Sequence, residues 1–299
     1  MDPGSGRDHN PIVLSPRAIV SKGIRAWKRI VYPWYVRYPG FIRRPEPRFR
    51  LYCVGLGKTG THSVANLFKE HYRSDHEVGA EMDIRMVRAM LGNEEPPMDP
   101  VEYIRRRDRY LRLEVDSNNL LRYFLDPLLA EFPDARFVVT IRDCYSWVDS
   151  VFNNRLARRI SPGWKSLRAL TFQTEGIPFP PEEQVLADRG LIPLEACFST
   201  WARENSRTIG AIPANRLLIV RTDQLGDSLD RIAEFVGVPP EHLDRRRSHA
   251  YRAPKKFGLL EQIDQEHLIA TAERCCGELM REHFPEIRGP KDSIRDYGS

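Results

Sequence analysis

The sequence predicts an α/β protein with a central parallel β-sheet flanked by helices in three layers. Short apolar runs recur along the chain: LYCVG (51–55), LRLEV (111–115), RFVVTI (136–141) and RLLIV (216–220). Helical patterns separate them, and that alternation builds parallel strands covered on both faces. At 299 residues such a chain buries about 75% of its unfolded surface, so its core needs no disulfide or metal staple.

Residues 1–48 read as a basic, aromatic N-terminal arm ahead of a domain spanning 49–299. Trp27, Tyr32, Trp34, Tyr35 and Tyr38 stand among Arg and Lys, and Pro33, Pro39, Pro45 and Pro47 interrupt any long helix. The arm is expected to pack on its own domain. Its composition also leaves open peripheral membrane contact through residues 17–44, or closure over an apolar acceptor.

The strand at 51–55 ends in glycine and leads into a helix over Thr61–His71. Residues 99–110 read as a charged helix, followed by the strand 111–115. Asn118–Phe132 reads as an amphipathic helix ended by Pro133-Asp134. RFVVTI is the clearest buried strand, and Tyr145–Arg158 returns as a helix. Residues 159–193, rich in Pro, Gly and charge, read as a lid or insertion. The strand 216–220 then leads to a helix over Asp227–Val236.

Composition narrows the function classes. Forty-six Lys+Arg against 41 Asp+Glu give a net charge of +5. That balance attracts anions but is too small for a nucleic-acid coat, so no nucleic-acid partner is expected. Five cysteines form no CxxC pair, which argues against a disulfide framework and a zinc site and suits a reducing cytoplasm. No run of 18 apolar residues suggests a membrane span, and the first residues lack the apolar core of a signal peptide.

Gly55-Leu56-Gly57-Lys58-Thr59-Gly60-Thr61-His62-Ser63 follows the first strand and opens a helix. Glycines let the backbone approach an anion, and N–H groups at a helix N-terminus point at it. The loop matches GxGxxG, but the dinucleotide fingerprint also needs a second strand ending in an acid about 20 residues on. Asp75 and Glu77 lie near that spacing, yet KEHYRS before them reads as no strand. A Walker A loop needs a glycine where Tyr52 stands.

Consecutive Lys58, Thr59, Gly60 and Thr61 before a helix resemble the phosphosulfate loop of sulfotransferases that use 3′-phosphoadenosine 5′-phosphosulfate (PAPS). The resemblance covers residues 50 to about 285 and implies a P-loop NTPase-like sulfotransferase fold. It implies that Lys58 meets the bridging and phosphate oxygens, and that Thr59, Gly60, Thr61, His62 and Ser63 hold the 5′-phosphate. It further implies an Arg at a strand end and a Ser eight residues later for the 3′-phosphate. Arg142, after RFVVTI, and Ser150 match in type, spacing and placement. Arg252, Lys255 and Lys256 in YRAPKKFG are the counterpart of a basic loop over the 3′-phosphate and adenine, without the Arg-Lys-Gly pattern of cytosolic enzymes.

An acceptor hydroxyl needs a general base. The segment LRLEVDSNN offers Asp116, Ser117 and Asn118 but no His. Members of the family that use Glu place it soon after the first helix, where Glu77 stands beside His76. Glu77 is the first candidate, His76 the second and Glu81 a spare. Asp116 is read as orienting the acceptor, holding Lys58 or capping the next helix. No metal is expected, because Lys and Arg supply the charge.

The expected reaction is sulfuryl transfer from PAPS to an acceptor hydroxyl, leaving adenosine 3′,5′-bisphosphate. Trp27, Trp34, Tyr35, Phe172 and Phe179 suggest a large apolar acceptor such as a lipid, glycolipid or secondary metabolite. Two other readings stay open: a P-loop kinase using ATP and Mg2+, and a non-catalytic nucleotide-binding module.

Overall fold

Strand β1 (Leu51–Cys53) opens the domain and is followed by helix α1 (Thr61–Phe68). Next come β2 (Ser74–His76), α2 (Ala80–Leu91), α3 (Pro100–Leu111) and β3 (Val115–Ser117). A 3-10 turn at Asn119–Phe124 runs into α4 (Leu125–Glu131), then β4 (Arg136–Ile141), α5 (Cys144–Ala157) and α6 (Pro162–Phe172). The short α7 (Gln184–Ala187) precedes α8 (Leu194–Ala211), β5 (Leu217–Arg221) and α9 (Leu229–Val236). Helices α10 (Gln265–His283) and α11 (Pro290–Ser293) complete the series. This computed structural model describes residues 45–159, 161–247 and 256–294. Almost all of the N-terminal arm, with its Trp27, Trp34 and Tyr35 and the 17–44 segment, therefore lies outside the described residues.

The five strands form one parallel sheet in the order β2-β3-β1-β4-β5. Period-2 alternation sends successive side chains to opposite faces. Leu51, Cys53 and Val138 pack with Val64, Leu67 and Phe68 of α1 and with Leu229, Ile232 and Ala233 of α9. Tyr52, Val54, Phe137 and Val139 pack with Met86 and Val87 of α2, Tyr103 of α3 and Leu128 of α4. A third cluster joins α5, α8 and α10 through Val148, Phe198, Trp201, Ala272 and Met280. The predicted three-layer α/β architecture is the observed one.

Several local expectations are corrected. Ser74–His76 is a strand, not a loop: pairing of Asp75 with Asp116 on β3 holds this polar edge where no apolar run announces it. A dinucleotide-binding sheet places strand 2 beside strand 1 in the order 3-2-1-4-5. Here β3 intervenes, so that reading fails on strand order rather than for want of a strand. The strand predicted at 111–115 begins at Val115, because α3 runs through Leu111 and Arg112 closes it in the left-handed region (φ 48).

The helix predicted over 118–132 is divided between the 3-10 turn and α4. Pro127, in the first turn of α4, has no N–H to continue a helix from upstream. Residues 159–193, expected as a lid or insertion, carry α6 and the short α7. Ser161 caps α6 and Pro162 starts it, and α6 buries Leu167 beside Ile84 of α2.

Candidate active site

Strands β1 and β4 are parallel neighbours, with Cys53 opposite Val138, so their carboxyl ends lie side by side. The chain leaves β1 toward one sheet edge, at β2, and leaves β4 toward the other, at β5. Open α/β sheets bind ligands at such a switch point. The glycine loop follows β1 and Arg142 follows β4.

The loop is anchored on several sides. A Cβ at Gly55 would lie 2.2 Å from the Thr140 hydroxyl, so only glycine lets the loop cross β4 there. Gly60 caps α1 in the left-handed region (φ 101). The Thr59 hydroxyl sits 2.6 Å from the Leu56 carbonyl and 2.7 Å from the Thr140 hydroxyl, so it braces the loop from inside. Thr222, after β5, lies 2.6 Å from the Thr59 carbonyl and 3.0 Å from that of Ile141. From α5 the Trp147 indole donates to the Gly57 carbonyl at 2.9 Å. Thr61, His62 and Ser63 form the first turn of α1. Their backbone N–H groups have no acceptor within the helix, which makes them donors for an anion.

Positive charge converges on this loop. Lys58 holds a left-handed backbone (φ 77), a strained conformation for a residue with a side chain. Its ammonium is pushed down to about 8, first by burial and then by Arg142, Arg158 and Arg168, with Glu77 opposing. Like charges gathered in a half-buried place are stabilised by an anion among them, so the residues fit a multiply charged phosphate ligand.

Arg142 is set by a relay. Its Nε donates to the Ser146 hydroxyl at 2.8 Å, and Ser146 donates onward to Asp143, the N-cap of α5. The Trp201 indole donates to the Arg142 carbonyl at 2.9 Å. Neither Asp143 nor Asp149 forms an ion pair with Arg142 among the described residues. Burial lowers the Arg142 pKa against the pull of Asp143 and Asp149. Ser150 is buried one turn beyond Ser146 on the same face of α5.

The C-terminal basic segment reaches that helix. The Phe257 N–H donates to Asn153 at 2.9 Å, and the charge of the adjoining Lys256 acts on Asp149. Arg252 and Lys255 lie outside the described residues.

Glu77 and His76 stand at the end of β2, their Nε2 and Oε1 atoms 3.8 Å apart. His76 Nε2 is 3.1 Å from the Thr61 hydroxyl, and the Asn119 amide donates to Glu77. Burial pushes the Glu77 carboxyl above its ordinary value and pushes His76 down to about 4. Both shifts favour Glu77 as proton acceptor: a raised carboxyl is a stronger base, and a depressed imidazole a weaker one. Glu81 is exposed on the first turn of α2.

Asp116 neither holds Lys58 nor caps a helix; the cap is Asn118, which accepts from the Leu120 N–H at 2.9 Å. Asp116 instead takes a bidentate pair from Arg107 at 2.9 and 3.0 Å. The same guanidinium reaches Asp83 at 3.1 Å and the Val78 carbonyl at 2.8 Å. It thereby fixes the turn that follows Glu77. Phe172 is buried and stacked on Trp147, with ring centroids 6.3 Å apart, so it belongs to the core rather than to an acceptor wall.

Asn119, Ser146, Trp147, Trp201 and Thr222 escaped sequence reasoning. Only Ser146 carried a signal, since Asp143 three residues earlier forms a helix-capping pattern.

A family model described as a sulfotransferase domain matches residues 50–244. Among solved structures, the chain is similar to a sulfotransferase from Alicyclobacillus acidocaldarius at 15% identity and TM-score 0.45, over 81% of this chain and 96% of that one. It is similar to sulfotransferase STF9 from Mycobacterium avium at 16% identity and TM-score 0.45, over 87% and 82% of the two chains. It is likewise similar to sulfotransferase STF1 from Mycobacterium tuberculosis at 15% identity and TM-score 0.45, over 90% and 87%. No curated protein matches the chain.

Proposed function

Because the chain belongs to the sulfotransferase domain family, we propose that it transfers a sulfuryl group from PAPS to the hydroxyl of a small-molecule acceptor. The observation that carries this reading is the pair of cationic sites at the carboxyl ends of β1 and β4, with a raised carboxyl, Glu77, electrostatically linked to Lys58.

PAPS, when bound, supplies the sulfuryl group and a phosphate leaving group. Lys58 and the N–H groups of Thr61, His62 and Ser63 hold the 5′ end and stabilise the negative charge that develops on the departing phosphate. Arg142, oriented through Ser146 and Asp143, holds the 3′-phosphate together with Ser150 of α5, and Lys256 adjoins Phe257, which is bonded to Asn153 of that helix. Glu77 takes the proton of the acceptor hydroxyl, while Asn119 fixes its carboxylate. His76 holds the Thr61 hydroxyl at the helix entrance.

Thermal-shift measurements test the nucleotide class. Adenosine 3′,5′-bisphosphate should stabilise the protein, and ATP with Mg2+ should do so weakly or not at all. The reverse ranking would favour the kinase reading. Among the described residues no helix is long and apolar enough to cross a membrane.

A further inference from the structure

Beyond Lys58 and Arg142, two further guanidiniums among the described residues have no task with the donor and lie next to each other. Arg155 lies in the last turn of α5 and Arg168 on α6. Each keeps its Nη1 buried with no hydrogen-bond partner among the described residues. A guanidinium is a rigid fork of N–H donors, and burying one of them unpaired costs the full desolvation of that group. Among the described residues no carboxylate contributes to the electrostatics of either one. Burial lowers the pKa of both, and the proximity of Arg155 lowers Arg168 further, to about 10. Arg155 does lie 6.0 Å over the Phe172 ring, but that contact gives its Nη1 no acceptor.

The pair stands apart from Arg142, although Arg155 follows Ser150 by only five residues on α5. Arg142 precedes the first turn of α5 and Arg155 stands thirteen residues further on, about 20 Å along a helix axis. Arg168 nevertheless acts on the Lys58 ammonium, as Arg142 and Arg158 do.

We propose that Arg155 and Arg168 recognise an anionic group, a carboxylate or a phosphate monoester, carried by the acceptor whose hydroxyl is sulfated. This rests on the sulfotransferase reading above. Both anions accept paired N–H bonds from guanidinium forks. The acceptor is then a charged hydroxy compound, in place of the apolar one that the aromatic residues suggested.

The test loads the protein with PAPS, which fills the donor subsites, and titrates inorganic phosphate and, separately, acetate at constant ionic strength. Calorimetry and thermal shift report binding. At least one anion should bind, phosphate alone marking a phosphate acceptor and acetate alone a carboxylate acceptor. Arg155→Gln and Arg168→Gln should each weaken that binding about tenfold, the loss expected for one charge-assisted hydrogen bond. PAPS affinity should be preserved. Arg85→Gln, at an exposed position on α2, controls for a general loss of charge and should change nothing.

Arg155→Lys and Arg168→Lys keep the charge without the fork and should fall between. They also serve if a Gln variant fails to fold. Absence of anion binding to the wild-type protein, or equal binding in wild-type and cluster variants, overturns the proposal. Failure of PAPS itself to bind overturns the donor reading instead, and the same titrations without nucleotide still decide the anion site.

Discussion

The Trp147 indole N–H donates to the Gly57 carbonyl at 2.9 Å, joining helix α5 to the glycine loop. Trp201 of α8 does the same for the Arg142 carbonyl. Two buried aromatic residues thus hold the two cationic sites in one frame, and their rings pack in the core beneath it. Preorganised donors cost no rearrangement when charge develops.

Trp147→Phe keeps a ring against Phe172 but removes the donor. Loss of one such hydrogen bond, about 0.5–1.5 kcal/mol, should weaken adenosine 3′,5′-bisphosphate binding roughly two- to tenfold. Calorimetry on the variant checks this. Unchanged affinity would mean that the loop is set without Trp147.

Binding should depend on pH through Lys58. Its ammonium loses its proton near pH 8 in the free protein, and a bound anion raises that value. Affinity should therefore be flat below pH 8, then fall by up to about tenfold per pH unit above it, because binding must take up a proton. Calorimetry at pH 9 in buffers of different ionisation enthalpy measures that uptake, and Lys58→Ala should abolish it.

Glu77→Gln should lower the transfer rate by about 10²–10⁴-fold, the usual contribution of a general base, while nucleotide affinity changes little. The wild-type rate should rise with pH through a carboxyl pKa above the ordinary glutamate value, and that limb should vanish in the variant. His76→Ala should cost less, since a His held to about 4 is a weak base. Equal losses in the two variants would point to a base shared between them.

Arg107→Met leaves Asp83 and Asp116 buried without their shared cation. Breaking a buried ion pair on one side typically costs about 3–5 kcal/mol, which urea unfolding reads directly. Because Arg107 also holds the Val78 carbonyl, the surviving folded protein should show a reduced kcat with nearly unchanged nucleotide affinity.

The legible parts of this molecule are those where chemistry and local pattern coincide. RFVVTI is apolar because β4 is covered on both faces, and Arg142 follows where the strand stops. Gly55 and Gly60 are glycine because a Cβ would meet Thr140 and because the cap is left-handed. Ser74–His76 left no trace, since an edge strand of three polar residues is defined by its partner alone. The tie between Asp116 and Arg107 was hidden for a similar reason: Arg107 sits in a strongly charged helix, IRRRDR, where one buried Arg looks like its exposed neighbours. Likewise nothing local marks Trp147 as a hydrogen-bond donor to a loop ninety residues away.

In the proposed reaction Lys58 and Arg142 bind the two phosphate ends of one nucleotide. Calorimetric titration of adenosine 3′,5′-bisphosphate into the wild-type protein, Lys58→Ala and Arg142→Ala tests it most directly. One molecule should bind per chain, and each variant should lose at least about tenfold in affinity, as removal of a charge-assisted contact requires. No binding to the wild-type protein, or affinity indifferent to both substitutions, would contradict the account.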